Sequence, residues 1–201
     1  MRALLPLLWL SAATPALSQS TASPDSVAPP WYRVHHAALQ TAGGAGLVAG
    51  GVGFAALRDR LETDILVGYV PEKYAGSALS IATLKVQYSP YTVPLSPKLQ
   101  LRPLTVGAYA SYTHGVINDG EPNQYYKGYY WFSTDTRVGI LLGSRLSYLL
   151  PTTPQRTQPR RLSAYYELGT NDLYVVSYFT NLTGLSPLDL LTLGLGLKLD
   201  F

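Results

Sequence analysis

The sequence predicts an all-β chain, an eight-stranded antiparallel up-and-down transmembrane β-barrel, and three observations carry that prediction. Eight stretches have strand character, most of them alternating apolar and polar residues with period two. In the six C-terminal stretches one parity holds no Asp, Glu, Lys or Arg, and the charges gather on the other. Charged residues are only 13% of the 201-residue chain, against about 25% in ordinary soluble domains, while Gly, Pro and Tyr number 18, 15 and 16.

The chain opens with "MRALLPLLWLSAATPALSQS": Arg2, an apolar stretch from Ala3 to Ala13, then small residues at Ala16 and Ser18. This reads as a secretory signal peptide over residues 1–18, with an apolar core shorter than the roughly 20 residues of a spanning helix. Residues 19–33, "QSTASPDSVAPPWYR", are rich in Ser, Pro and Ala and read as a flexible periplasmic lead-in; residues 34–201 are then the barrel. The chain has no cysteine, so neither disulfides nor thiolate metal sites hold it together. Its net charge of +3 is dispersed, with no Lys/Arg run, which argues against a nucleic-acid partner.

Residues 37–57 form an uncharged run of 21 residues, long enough to raise a transmembrane helix as a competing reading. Six glycines stand against it, each weakening a helix interior by about 1 kcal/mol relative to Ala. A Gly-turned hairpin, with strands near 35–43 and 46–57, is the preferred reading. "ETDILVGYV" then sets Ile65, Val67 and Tyr69 against Glu62, Asp64 and Gly68. "ALSIATLKVQYS" sets Ala82, Leu84, Val86 and Tyr88 against Lys85 and Gln87. "LTVGAYASYTH" alternates Leu104, Val106, Ala108, Ala110 and Tyr112 with Thr105, Gly107, Tyr109, Ser111 and Thr113. "DTRVGILLGSRLSYLL" places Val138, Ile140, Leu142, Leu146 and Tyr148 opposite Arg137, Gly139, Gly143, Arg145 and Ser147. "RLSAYYELG" places Leu162, Ala164, Tyr166 and Leu168 opposite Tyr165 and Glu167. The chain closes on "LLTLGLGLKLDF", where Leu191, Leu193, Leu195, Leu197, Leu199 and Phe201 alternate with Thr192, Gly194, Gly196, Lys198 and Asp200.

A charge facing mid-bilayer lipid costs about 2–4 kcal/mol, so complete segregation of charge favours lipid outside and a polar, charge-paired lumen inside. Tyr88, Tyr148 and Phe201 would ring one interface, and Tyr69 and Tyr112 the other. Inward Gly107, Gly139, Gly143, Gly194 and Gly196 make room for Tyr109, Tyr165 and the long basic side chains. Eight strands enclose a space that side chains can fill, so a packed polar core with internal salt bridges is expected and not a pore. "RDR", "TVPLSPKLQLRP" and "PTTPQRTQPR" read as periplasmic turns. "PEKYAGS", "GVINDGEPNQYYKGYYWFST" and "NDLYVVSYFTNLTGLSP" read as outer loops.

The signal peptide, the alternating strands and the terminal "LGLGLKLDF" together resemble small bacterial outer-membrane proteins of the OmpA/OmpX-type eight-stranded class. "VGYVPE" and "YYELGTNDLY" are also similar to uncharacterised outer-membrane proteins of the Bacteroidetes type. The resemblance implies residence in the bacterial outer membrane, contact with its lipid and lipopolysaccharide, and recognition of the C-terminal strand, with Phe201 last, by the outer-membrane assembly machinery. It implies no activity.

Three candidate chemistries were weighed. His35 and His36 are adjacent but have no acidic or third His ligand nearby in sequence, so no metal site is assigned and a turn or interface position is expected. Ser111, His114 and Glu167 offer a Ser–His–acid inventory for a lipid A deacylase-like enzyme. By parity, however, Ser111 and His114 face opposite ways, and their strand does not neighbour that of Glu167. Asn118–Phe132 crowds Tyr125, Tyr126, Tyr129, Tyr130 and Trp131 around Lys127 and could seat in the headgroup layer or grip a protein partner. Asn171–Asn181 could form a lid over the same mouth, and Asn181-Leu182-Thr183 is a chance sequon. No catalytic or metal residue and no cofactor is assigned. The sequence favours a structural or surface-interaction barrel, with an outer-leaflet lipid-modifying enzyme and an accessory subunit of a larger outer-membrane complex as rivals.

Overall fold

The computed structural model describes residues 33–116, 135–151, 160–180 and 186–201. The signal peptide, most of the lead-in, the aromatic segment 118–132, the sequon and most of "PTTPQRTQPR" lie outside them. Nine strands follow in order: β1 His36–Ala42, β2 Val48–Ala56, β3 Leu61–Val70, β4 Leu79–Tyr88, β5 Val93–Ser96, β6 Leu99–His114, β7 Thr136–Leu149, β8 Arg161–Asn171 and β9 Thr192–Asp200. Eight of them close a barrel. Sequence neighbours pair antiparallel from β1 to β4 and from β6 to β9, β4 pairs with β6 across the β5 insertion, and β9 returns to β1.

Residues 37–57 form the β1–β2 hairpin and not a helix; the Ala42 amide donates to the Gly46 carbonyl at 3.0 Å to close its turn. Among the described residues no helix is long and apolar enough to cross a membrane. The "PEKYAGS" connection contains α1, Glu72–Ala75. "NDLYVVSYFTNLTGLSP" contains α2, Asp172–Thr180, and the start of a 3-10 helix, Pro187–Leu190. These elements, the end of β6 at His114 and the start of β7 at Thr136 lie at one end, the loop end. The tight turn 57–60, the chain's described start at Arg33 and Phe201 lie at the other, the turn end.

The structure corrects one predicted connection. "TVPLSPKLQLRP" is not a plain turn: it folds back as β5 against the first residues of β6, which begins at Leu99, before the predicted 104. A register shift between Arg102 and Thr105 absorbs Pro103, which has no N–H to give to the ladder. Pro94 is tolerated because β5 is an edge strand, paired only with β6.

Outward parity follows the predicted pattern on the six strands for which one was predicted, β3, β4 and β6 to β9. Ile65, Val67, Leu84, Ile140, Leu142, Leu193, Leu195 and Leu197 are exposed on the outside, and no exposed strand residue among those described is Asp, Glu, Lys or Arg. Tyr88, Tyr148 and Phe201 lie at the turn end and Tyr69 and Tyr112 at the loop end, as the pairings Leu61↔Tyr88, Leu99↔Tyr148, Val48↔Tyr69 and Ala82↔Tyr112 require. Inside, glycine supplies space for rings. A Cβ on Gly139 would stand 2.5 Å from Tyr109 Cζ, and one on Gly196 would collide with the Tyr165 ring.

Candidate functional site

Among the described residues, the fold concentrates ionisable and polar side chains in the lumen. Its residues arrive from all eight barrel strands because period two turns every second side chain inward. Glu62 on β3 is the hub. Its Oε1 accepts from Arg102 Nη1 of β6 at 2.6 Å and from Arg145 Nη2 of β7, and its Oε2 accepts from Lys198 Nζ of β9 at 2.8 Å. Lys198 also donates to Gln87 Oε1 at 3.0 Å and stands 2.8 Å from Asp64 Oδ2, an ion pair without hydrogen-bond alignment.

A second cluster lies closer to the loop end. Lys85 on β4 donates to both oxygens of Glu167 on β8, at 3.0 and 2.8 Å, and to Gln40 Oε1 on β1. Gln87 Nε2 donates to Glu167 Oε1 at 2.7 Å, and Tyr165 Oη donates to Gln40 Oε1 at 3.1 Å. The Tyr165 ring separates the two clusters, with Lys85 Nζ 5.8 Å and Lys198 Nζ 5.5 Å from its centroid. At the turn end Arg161 bridges Asp200 Oδ2 and Asp59 Oδ2, each at 2.7 Å. Asp59, in the turn outside the strands, is held well below the ordinary carboxylate range by its His35 contact and then by Arg161.

Asp59 in the turn and Glu62, Asp64, Glu167 and Asp200 in the barrel pair with Lys85, Arg102, Arg145, Arg161 and Lys198. The void among Glu62, Gln87, Thr105, Arg145, Glu167 and Lys198 is about 10 Å³, room for no more than about one water. Toward the loop end, Ala38, Ala45, Ala49 and Leu66 form a small apolar cluster. The described lumen is a packed core, as the glycine and charge pattern predicted.

The sequence candidates separate. Ser111 is buried and faces inward, His114 is exposed, and Glu167 is saturated by Lys85 and Gln87. β6 and β8 do not pair. No acyl-transfer triad forms from these three. His36 departs from the turn or interface position expected of it: it is fully buried, and its Nε2 lies 2.7 Å from Asp64 Oδ1. His35 reaches Asp59 at 3.4 Å. The acids that the sequence did not place beside these histidines come from the β2–β3 turn and from β3. Sequence reasoning also missed Gln40, Arg102 and Arg161 as lumen residues; the inward parity of Ala38 and of Tyr165 pointed to the first and the last.

These observations define a class, a closed eight-stranded antiparallel barrel with an uncharged outer wall and a charge-paired, plugged lumen. Comparison with protein-family models, with curated proteins and with solved structures finds no match, so the class rests on the fold itself.

Proposed function

We propose that this protein is an outer-membrane β-barrel that serves a structural or surface-interaction role and neither conducts solutes nor transforms lipid. The observation that carries this reading is the absence of charge from the exposed strand positions, combined with neutralised charge inside. A soluble barrel of this size would leave Ile65, Val67, Ile140, Leu142 and Leu195 in water, a continuous apolar wall of the kind that marks contact with lipid or protein. β3, β4, β8 and β9 have 10, 10, 11 and 9 residues, the length a tilted strand needs to cross a hydrocarbon core. The rings of Tyr88, Tyr148 and Phe201 at one level and Tyr69 and Tyr112 at the other suit the two interfaces. Phe201 directly follows β9 and is the proposed signal for the assembly machinery, while the loop end offers the surface for lipopolysaccharide or a protein partner.

Refolding from urea tests the reading. With phospholipid vesicles present, the chain should give a β-rich spectrum, heat-modifiable gel migration and carbonate-resistant association, and planar bilayers should show no steady conductance. A folded, monodisperse protein without lipid or detergent would refute membrane residence. Loss of acyl chains from lipopolysaccharide incubated with the folded protein, read by mass spectrometry, would refute the non-enzymatic role.

A further inference from the structure

The first and last barrel strands meet at the turn end. His36 pairs with Asp200 across β1 and β9, and the Phe201 amide donates to the His35 carbonyl at 3.1 Å. Three buried polar atoms at this seam have no hydrogen-bond partner: His35 Nδ1, His36 Nδ1 and Asp200 Oδ1. Their sister atoms are committed. His35 Nε2 faces Asp59 Oδ1 at 3.4 Å, His36 Nε2 faces Asp64 Oδ1 at 2.7 Å, and Asp200 Oδ2 accepts from Arg161 Nε at 2.7 Å.

A carboxylate only accepts, so each Nε2 carries a ring proton, and in the neutral imidazole each Nδ1 then presents a lone pair. Leaving such atoms buried and unbonded is costly. One ligand atom from each of His35, His36 and Asp200 lies within 4.8 Å of those of the other two. His36 is 0% and Asp200 5% exposed. Each histidine is backed by its own carboxylate, the arrangement that fixes the tautomer and orientation of metal-binding imidazoles. Around the trio, Asp59 and Asp64 are matched by Arg161 and Lys198, which leaves the Asp200 carboxylate to offset part of a cation's charge. Glycine at position 53 keeps the space that the His36 ring occupies. His36, Glu62 and Asp64 also converge, but Arg102, Arg145 and Lys198 already occupy those carboxylates.

We propose that His35, His36 and Asp200 bind a divalent transition-metal ion of the zinc class, tying the first strand to the last where the barrel closes. Two imidazoles and one carboxylate suit Zn²⁺, Ni²⁺ or Cu²⁺ better than Ca²⁺ or Mg²⁺, which prefer all-oxygen shells. Three protein ligands leave a fourth position for solvent. Because both ends of the barrel sequence contribute, binding stabilises the closed barrel over the open chain.

Untagged protein folded in detergent and stripped with chelator is titrated with Co²⁺ and loaded with Cu²⁺. One equivalent of Co²⁺ should bind, with d–d absorption that Zn²⁺ abolishes, and Cu²⁺ should show electron paramagnetic resonance coupling to two nitrogens. His35→Ala and Asp200→Asn should each weaken binding at least tenfold while the folded barrel's gel migration persists. Asp59→Asn, which leaves every ligand in place, should weaken it about 10- to 100-fold. No stoichiometric uptake by the wild type, coupling to fewer than two nitrogens, or uptake unchanged in His35→Ala overturns the proposal. The wild-type resonance decides alone where a variant does not fold.

Discussion

Replacing Lys85 by Met tests whether the lumen is the dry, paired core described above. Lys85 Nζ lies 2.8 Å from Glu167 Oε2, and the two side chains are 2% and 4% exposed. At that distance and an effective dielectric constant of about 20, the attraction is about 6 kcal/mol. Desolvation of both charges offsets most of it, so the pair itself contributes little net stability. Removing only the lysine is a different matter. Glu167 would keep its charge and one donor, Gln87 Nε2 at 2.7 Å, with the Tyr165 ring beside it. Stranding a buried carboxylate in this way costs about 3–5 kcal/mol. The double variant Lys85→Met/Glu167→Gln removes both charges and keeps an amide for Gln87 to bond, so it should return to within about 1 kcal/mol of wild type. Urea unfolding in vesicles, followed by gel migration and by tryptophan fluorescence, gives the three stabilities. A single variant costing under about 1 kcal/mol, or a double variant at least as costly as the single, would show that water screens these charges and that the lumen is wet.

Three further outcomes follow from the same geometry. Leu195→Arg puts a charge outward midway along β9 and should cost about 2–4 kcal/mol for insertion into vesicles, read as a lower urea midpoint; an unchanged midpoint would mean that this face does not meet lipid. Gly196→Val should destabilise the barrel by about 1–3 kcal/mol through collision with the Tyr165 ring, and Tyr165→Leu should relieve part of the loss; equal effects with and without the ring would refute that packing. Asp189, which accepts from the Ser186 amide at 2.8 Å at the start of the 3-10 helix, has its carboxyl lowered by that backbone bond and by the Ser186 hydroxyl. A depressed folded-state value means the cap is intact above the ordinary 3.8 and is lost as pH falls below it; the Ser186 amide resonance in micelles should titrate with a midpoint under 3.8.

How much of this was legible in the sequence depends on what period two encodes. It encodes face. Glu62, Asp64, Lys85, Arg145, Glu167, Lys198 and Asp200, assigned inward from parity alone, are buried there, while Arg137, assigned with them, is only half-buried near the loop end of β7. The glycine pattern likewise anticipated the rings, since Tyr109 lies on Gly139 and Tyr165 on Gly196. Parity fails where the ladder does. Counting back by twos from Thr105 would turn Arg102 outward, but the bulge around Pro103 inserts a residue and returns Arg102 to the lumen against Glu62.

Parity is silent about height, and height decides partners. Asp64 has Gly53 and Lys85 beside it in the ladder, yet its side chain meets His36, which lies directly across from Gly53 two strands away, and Lys198 from the far side of the seam. Which inward residues share a level follows from the stagger accumulated around all eight strands, a property no single stretch of alternation contains. This is why the adjacent histidines carried no signal beyond their adjacency. Their acids come from positions 59, 64 and 200; the first two arrive through the β1–β2–β3 meander, and closure of β9 on β1 adds Asp200. The same closure explains why three of the unbonded atoms, on His35, His36 and Asp200, meet at the seam. Elsewhere an inward charge has partners on several neighbouring strands, whereas at the turn end the wall stops and fewer side chains can reach. A barrel that ends its first and last strands with orphaned imidazoles and a carboxylate has a polar gap where it closes, and a bound cation fills that gap without adding a residue.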